Sequence, residues 1–411
     1  MLIVVITKDL NSWGLWAKSP AVKKSDSYAK IRGPIEENMK FQADRDILTD
    51  AISFVVRLVS PRPQLPQLSG VVIEANGKEV TFSVFDYEVS AKATISANIE
   101  KPGKVLVQAR LLSDIVSKLP SEAVSIDHSE SRVQIISGSS KFSLSAMSMS
   151  EYPETPATPA GSGKVEGELF ANAITQVSVA ASKEEVTPVL TAVMISSNNK
   201  ELSLIATDRF RVATRNIAWQ GSGSDREILI PARVVGEIAK TFAHEKEITI
   251  GFADGDKEMV GFSSGTKSVT TSTIKGKYPA VLSLFPSDTP HFAVASTQDL
   301  INATKRVGLV VDRDKPLRFK FSSNEVTLES IGSDVADASE QVACSLTGDE
   351  TTVSLKPQYL IDALSGIDTE MVSLGFTSNP NNPNKPGPVL ITPVGSSQHY
   401  KYLLQPNLLV S

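Results

Sequence analysis

Cysteine is almost absent from the sequence, and no stretch is long and apolar enough to cross a membrane. Cys344 is the single cysteine, so the chain cannot form an internal disulfide and a reducing compartment is expected. The apolar run at the N-terminus spans about six residues, which is short for a signal peptide, and no run approaches the roughly 18 residues of a membrane helix. These features predict a cytoplasmic protein that does not associate with a membrane.

Cationic residues are not in excess either, because the 411-residue chain carries a formal net charge of -5. This balance argues against a chain coated by nucleic acid, but it allows a local basic surface inside an acidic shell. The four histidines lie far apart without the spacing of metal ligands, and neither a CxxC pair nor a nucleophile elbow is present. The sequence therefore predicts no metal site, no cofactor and no catalytic set.

One segment, GFSSGTKS at 261–268, resembles the phosphate-binding loop of nucleotide-using enzymes. Thr266 stands where that loop requires its second glycine, and the flanking pattern predicts a hairpin tip instead of a strand that leads into a helix. A nucleotide-using enzyme is an alternative that depends on this segment alone. We expect a protein that is not an enzyme.

What the sequence does contain is one structural pattern repeated three times. An alternating apolar run, a short turn and a second alternating run predict β-hairpins at 71–84, 193–206 and 318–331. A glutamate recurs at the same place in these hairpins, as Glu79, Glu201 and Glu325. A short strand and an amphipathic helix follow each hairpin, at 105–119, 228–242 and 353–367. The acidic residues at matched helix positions are Asp114, Glu237 and Asp362.

A further helical pattern opens each repeat, at 44–59, 168–182 and 297–311. The order of elements predicts an α+β fold of three domains, at 39–160, 161–286 and 287–411. The Pro/Gly/Ser-rich segment 155–164 is a predicted linker, and 283–290 marks the second junction. Residues 1–38 have no counterpart in the repeats, which indicates a disordered extension or an upstream start, with a functional N-terminal arm as the alternative.

Four segments carry signatures that go beyond the repeat: SPRPQLPQLSGVVIE (60–74), ATDRFRVA (206–213), GKYPAVLSLFP (276–286) and YLLQPNLL (402–409). In this order they resemble the bacterial DNA polymerase III beta subunits, the sliding clamps, over residues 39–411. The resemblance implies clamp-type domains, each with two helices packed on antiparallel sheets. It also implies a head-to-tail homodimer that closes into a six-domain ring around duplex DNA.

The same resemblance implies partners for the ring. It would bind double-stranded DNA without sequence specificity and tether the catalytic subunit of the replicative polymerase, which confers processivity. A clamp loader and other replication and repair proteins would dock through short peptides. The competing hypothesis is a repeat-domain scaffold that binds peptides and does not close into a ring.

The family's peptide pocket, carried over motif by motif, would use Leu190, Thr207, Arg209, Phe210, Arg211, Val212, Pro279, Leu284, Leu403, Leu404 and Pro406. Thr207 and Arg211 are expected to fix polar groups of the peptide. The sequence departs from the family at Arg209 and Phe210, where Gly and His are frequent, and at Ser283, Gln405 and Leu408. These departures predict an altered rim and an altered peptide preference.

Cations on or near the helices are expected to line the hole, with one family-matched arginine on the loop 60–66. They are Arg57, Arg62, Arg110, Lys118, Lys183, Arg233, Lys240, Lys305 and Arg306. Contacts to phosphate position a protein without reading sequence, as a slider requires. The dimer contact is predicted between edge strands at 141–148 and 317–322, and it would involve Phe142, Leu144, Leu309 and Phe319.

Overall fold

Three similar units follow one another along the chain, and each contains two helices and two antiparallel sheets. The computed structural model describes residues 38–60, 62–222, 225–253, 259–312, 315–331, 336–379, 382–395 and 399–407. The predicted extension at 1–38 therefore lies outside the described residues, except for Asn38. Leu408, one of the positions that depart from the family, also lies outside them. The three-unit α+β architecture predicted from the repeats is confirmed.

Six α-helices occur in the described parts of the chain, two in each unit. They are α1 (Arg45–Val56), α2 (Ala109–Lys118), α3 (Gly167–Ser178), α4 (Ala232–Phe242), α5 (Thr297–Val307) and α6 (Pro357–Ser365). The start of α1 is fixed by Asp44, whose carboxylate accepts hydrogen bonds from the backbone N–H groups of Asp46 and Ile47. Ser296 caps α5 in the same way. The two helices of each unit pack against each other.

The strands of the first unit are β1 (Met39–Ala43), β2 (Gly70–Asn76), β3 (Glu79–Phe85), β4 (Val89–Ser96), β5 (Asn98–Lys101), β6 (Gly103–Gln108), β7 (Val124–Ser129), β8 (Arg132–Ser137) and β9 (Ser140–Ser145). Those of the second unit are β10 (Gly163–Val165), β11 (Ala192–Ser197), β12 (Glu201–Thr207), β13 (Arg211–Ala218), β14 (Gln220–Gly221), β15 (Arg226–Pro231), β16 (Ile248–Ala253), β17 (Met259–Ser264) and β18 (Lys267–Ser272).

Ten strands belong to the third unit. They are β19 (His291–Ser296), β20 (Leu317–Phe321), β21 (Glu325–Glu329), β22 (Ser339–Thr347), β23 (Thr351–Leu355), β24 (Met371–Phe376), β25 (Ser378–Asn379), β26 (Asn382–Pro386), β27 (Val389–Pro393) and β28 (His399–Leu404). The predicted hairpins are β2–β3, β11–β12 and β20–β21, and their glutamates open the second strand in all three. Apolar residues alternate along these strands, so one face of each sheet packs under the helices.

Strand pairing joins the units into shared sheets. β4 of the first unit pairs antiparallel with β18 of the second, and β13 of the second pairs with β28 of the third. A nine-stranded sheet and a twelve-stranded sheet therefore each cross a unit boundary. At the first boundary the rings of Phe54 and Phe242 also meet edge to face, with their centroids 5.4 Å apart. The units are thus connected by backbone hydrogen bonds as well as by the chain.

The predicted linker 155–164 lies across the second unit. Gly251 on β16 and Gly261 on β17 are directly paired across the strands. A Cβ atom added to Gly251 would lie 2.7 Å from the backbone oxygen of Pro159, and one on Gly261 would lie 2.8 Å from Pro159 Cδ. The two glycines therefore allow the linker to approach the sheet closely.

We predict that Gly251→Ala destabilises the second unit by about 1–3 kcal/mol, because the new methyl group meets backbone atoms that cannot move alone. Differential scanning calorimetry should show a lower melting temperature for this variant. The control is Gly236→Ala in α4, where an added Cβ meets no atom within 4 Å. That change should stabilise the helix by about 0.5–1 kcal/mol, and equal effects of the two changes would contradict the close approach.

Candidate functional site

The Arg-Phe-Arg sequence lies in a tight turn between β12 and β13. Asp208 forms the turn, since its Oδ1 atom accepts hydrogen bonds from the backbone N–H groups of Phe210 (3.0 Å) and Arg211 (3.1 Å). This arrangement leaves Arg209 with a φ of 80°, in a region that residues other than glycine seldom occupy. The local sequence thus places an arginine and a phenylalanine side by side at the surface.

The first unit contains the same turn between β3 and β4. Asp86 Oδ1 accepts hydrogen bonds from the backbone N–H groups of Glu88 (3.2 Å) and Val89 (2.8 Å), and Tyr87 has a φ of 74°. An aspartate three residues before the start of the strand therefore imposes one backbone geometry in both repeats. What differs between the repeats is the set of side chains that the turn presents.

Arg211 connects the second unit to the third. Its Nε atom donates to Asp208 Oδ2 (2.9 Å), and its Nη1 atom donates to Asp362 Oδ2 (2.6 Å) and to the hydroxyl of Tyr402 (3.1 Å). The guanidinium also lies 4.1 Å from the centroid of the Tyr359 ring. The Arg211 side chain is only 4% exposed, so this charge is buried in a fully paired setting at the unit boundary.

Two groups of this network, Arg211 and Tyr402, have a pKa shifted away from physiological pH. Burial by itself would lower the pKa of Arg211, but Tyr402, Asp362 and Asp208 outweigh it and raise the pKa above the ordinary arginine value. Burial raises the pKa of the Tyr402 phenol. Arg211 therefore stays charged and Tyr402 stays neutral at physiological pH.

A cavity of about 230 Å³ opens beside this brace, between the second and third units. Four of the predicted pocket residues line it: Leu190, Arg209, Phe210 and Arg211. Sequence reasoning missed most of the other lining residues, which include Ala181, Val186, Thr187, Gln358, Tyr359 and Asp362. Asp362 was recognised from the sequence as the acidic residue at the matched helix position of the third repeat. Its contact with Arg211 was not predicted.

Other predicted pocket residues form an apolar pad on the opposite face of the sheet from the main core. Val212 and Leu403 pack there with Tyr278 and Val281, and Leu284, three residues after Val281, has 57% of its surface exposed. Pro279 is exposed beside them. The pad reaches the surface next to the turn that carries Phe210.

The remaining three predicted pocket residues lie inside the chain. Thr207 is buried and its hydroxyl donates to the backbone oxygen of Arg211 (2.7 Å), while Leu404 belongs to the main core and Pro406 is buried. The expected contact of Thr207 with a peptide is therefore corrected, because its donor is already used within the chain. These three buried residues are part of the packing beneath the surface residues of the site.

Three family models match consecutive parts of the chain. They are the N-terminal domain (residues 39–156), the central domain (164–280) and the C-terminal domain (282–405) of the DNA polymerase III beta subunit. The chain belongs to the DNA polymerase III beta subunit family. Among curated relatives, the beta sliding clamp of Micrococcus luteus is 42% identical over 75% of this chain and 100% of its own length. That of Streptomyces coelicolor is 35% identical, with 90% and 99% covered.

Solved beta-subunit structures share the fold. The DNA polymerase sliding clamp of Bacillus subtilis has a TM-score of 0.81 at 25% identity, covering 90% of this chain and 99% of that one. A sliding clamp of Pseudomonas aeruginosa bound to griselimycin has a TM-score of 0.81 at 22% identity, covering 90% and 100%. The scaffold hypothesis without a ring finds no support among these relatives, which are sliding clamps.

The nucleotide-using alternative for this beta-subunit chain is not supported either. Residues 261–268 form the β17–β18 hairpin, with Gly265 at φ 55° in the turn, as the sequence predicts. Lys267 Nζ lies 2.8 Å from Asp50 Oδ2 of the first unit, so it contributes to the boundary between units. In the parts of the chain that the structure describes, no three His, Cys, Asp or Glu side chains group as metal ligands, and no helix is long and apolar enough to span a membrane.

The nine cations that the beta-subunit resemblance assigned to DNA are all exposed. Seven lie on or at the end of a helix: Arg57, Arg110, Lys118, Arg233, Lys240, Lys305 and Arg306. Arg306 forms an ion pair with Glu340, and Lys240 pairs with Glu237 at 2.9 Å. Arg62 follows α1, and Lys183 lines the cavity beside Arg209, away from the helix faces.

Two residues predicted at the dimer contact are corrected by the structure. Leu144 is 4% exposed and Phe319 is fully buried, because both side chains already pack in the core of their own unit. β20, predicted as an edge, lies between β21 and β23. Phe142 and Leu309 are exposed by 40% and 83%. The edge in the third unit is instead the first half of β22, whose described pairing at Ser339–Ala343 is to β21 alone.

We predict that Arg211→Met destabilises the boundary between the second and third units by about 2–4 kcal/mol, because two partly buried carboxylates lose their cation. Calorimetric unfolding should show a lower melting temperature. Arg211→Lys keeps the charge but not the forked contacts, so it should give a smaller loss. Two variants with wild-type melting temperatures would show that the network does not brace the boundary.

Proposed function

We propose that two copies of this chain join head to tail into a ring that encircles duplex DNA and tethers the replicative polymerase. The proposal rests on two strand edges that the internal junctions leave unpaired. β4, β13 and β22 are equivalent strands of the three units (the β4 type), and so are β9, β18 and β28 (the β18 type). Each internal junction pairs one strand of the β4 type with one of the β18 type. One of each remains: β9 in the first unit and the first half of β22 in the third.

The register of the internal junctions specifies how these two edges would meet. Ala91 pairs with Val269 at the first junction, and Ala213 pairs with Tyr402 at the second. The hairpin registers make Ala338 equivalent to the two alanines, and they make Phe142 equivalent to Val269. Ala338 of one copy would therefore lie opposite Phe142 of the other.

Exposure supports this third junction. Val269 and Tyr402 are fully buried in the internal junctions, whereas the equivalent Phe142 is 40% exposed. Lys141 lies on β9 and Asp337 lies next to the start of β22, so these two residues would bring opposite charges to the junction. A second copy would cover the exposed ring and pair the free backbone groups of both strands.

The closed ring would hold DNA without recognising bases. The helices carry the exposed cations, and the chain as a whole is acidic, so the basic surface is confined and weak. Weak phosphate contacts permit sliding because each one costs little to exchange. We further propose that polymerase, clamp loader and repair proteins dock short peptides in the cavity and on the apolar pad, and that the protein works in the cytoplasm, where bacterial DNA lies.

The function is tested by retention on DNA of different topology. We expect protein placed on nicked circular DNA by its clamp loader to stay bound in gel filtration at moderate salt, and to be lost when the circle is cut once with a restriction enzyme. A topological link survives salt but not a free DNA end. Equal retention on circular and linear DNA would contradict encirclement.

Ring closure is tested by a charge placed on the free edge. We predict that Phe142→Glu changes the sedimenting species from dimer to monomer, because a carboxylate would be buried opposite Ala338 of the second copy. Leu309→Asp should act in the same direction. Val186→Glu is the control, since Val186 is 88% exposed and lies away from both edges. A wild-type chain that is monomeric at all concentrations would instead favour the scaffold without a ring.

A further inference from the structure

Arg209 is held in an unusual backbone conformation at the mouth of the cavity. Its φ of 80° is set by the Asp208 turn, and a glycine there would meet the same requirement without strain. The side chain is exposed, lines the cavity and donates from Nη2 to the hydroxyl of Thr187 (2.7 Å). A bulky cation therefore occupies a position where the backbone favours the smallest residue.

The charge of Arg209 has no carboxylate partner within the described structure. Asp208 and Asp362 both accept hydrogen bonds from Arg211, and Gln358 donates to the second oxygen of Asp362 (2.7 Å). Glu184 also faces the cavity, but no ion pair joins it to Arg209 among the described residues. The Thr187 hydroxyl is neutral, so the guanidinium stands at the cavity mouth without a compensating anion.

Apolar surface flanks this cation on both sides. Phe210 is 57% exposed and Val186 is 88% exposed, and both line the cavity with Arg209. A ligand that covers Phe210 and Val186 would exclude water from the guanidinium as well, which favours a ligand that brings its own negative charge.

We propose that Arg209 is a specificity-determining residue that selects peptides carrying an aspartate or glutamate beside their apolar anchors. This inference depends on the proposed peptide-docking function and adds the chemistry of the preferred peptide. The carboxylate replaces the Thr187 hydroxyl as the partner of the guanidinium, and its two oxygens match the two N–H groups of the arginine fork. The apolar anchors supply affinity, and the carboxylate supplies the choice between peptides.

The experiment uses peptides that tile the polymerase III catalytic subunit of the same organism, measured by isothermal titration against the full-length chain. Each binding peptide is resynthesised with its acidic residues changed one at a time from Asp to Asn or from Glu to Gln. We expect one such change to weaken binding about three- to five-fold at low salt. The difference should shrink as salt is added.

Arg209→Ala should abolish the preference, so that each acidic peptide and its amide counterpart bind this variant with equal affinity. Lys200→Ala is the matched control, because Lys200 is an exposed cation at the opposite end of β12 from Arg209, and this variant should keep the preference. The inference about Arg209 is wrong if the preference survives in Arg209→Ala, or if the wild-type chain binds the acidic peptide and its amide counterpart equally. Either result leaves the proposed docking function intact. If no peptide of the polymerase binds, the docking function itself fails.

Discussion

Antiparallel pairing of strands across the unit boundaries is the interaction on which the rest of the structure depends. A strand edge carries unpaired backbone groups, and each unit has two edges of the kinds used at the boundaries, one of the β4 type and one of the β18 type. Two boundaries within the chain use four of the six edges, through β4 with β18 and β13 with β28. The remaining two are complementary but lie in the first and third units. These two unpaired edges within the described chain are the basis of the proposed dimer.

The boundaries share a backbone geometry but differ in side-chain chemistry. The first is closed by aromatic contact and by Lys267, which reaches Asp50 and lies 5.5 Å from the Phe54 ring. The second is closed by the buried Arg211 network. The two boundaries therefore secure the same backbone pairing with different side chains. The free edges of β9 and β22 have neither an aromatic and lysine contact nor a buried arginine network within the described chain. This difference is consistent with the proposal that they meet between separate molecules.

The sequence predicted whatever depended on local periodicity. Hairpins, helices and their repeat followed from alternating or helical spacing and from turn residues, and Glu79, Glu201 and Glu325 marked equivalent strand starts. Whether a strand is an edge depends on which distant strands pair with it, so the pattern of β20 gave no sign of β23 beside it. The inward direction of Leu144 and Phe319 follows from register within the sheet. The contact between Arg211 and Asp362 joins residues 151 positions apart, which no local pattern could reveal.

The cavity shares its walls between two units, with Arg209 on one side and Tyr359 on the other. Any change in the angle between those units alters the width of the cleft, so occupancy and curvature are thermodynamically linked. A ligand that binds best at one angle between the units would oppose any change in that angle, and a change in the angle would weaken its binding. Binding in this cavity would therefore be coupled to the arrangement of the second and third units.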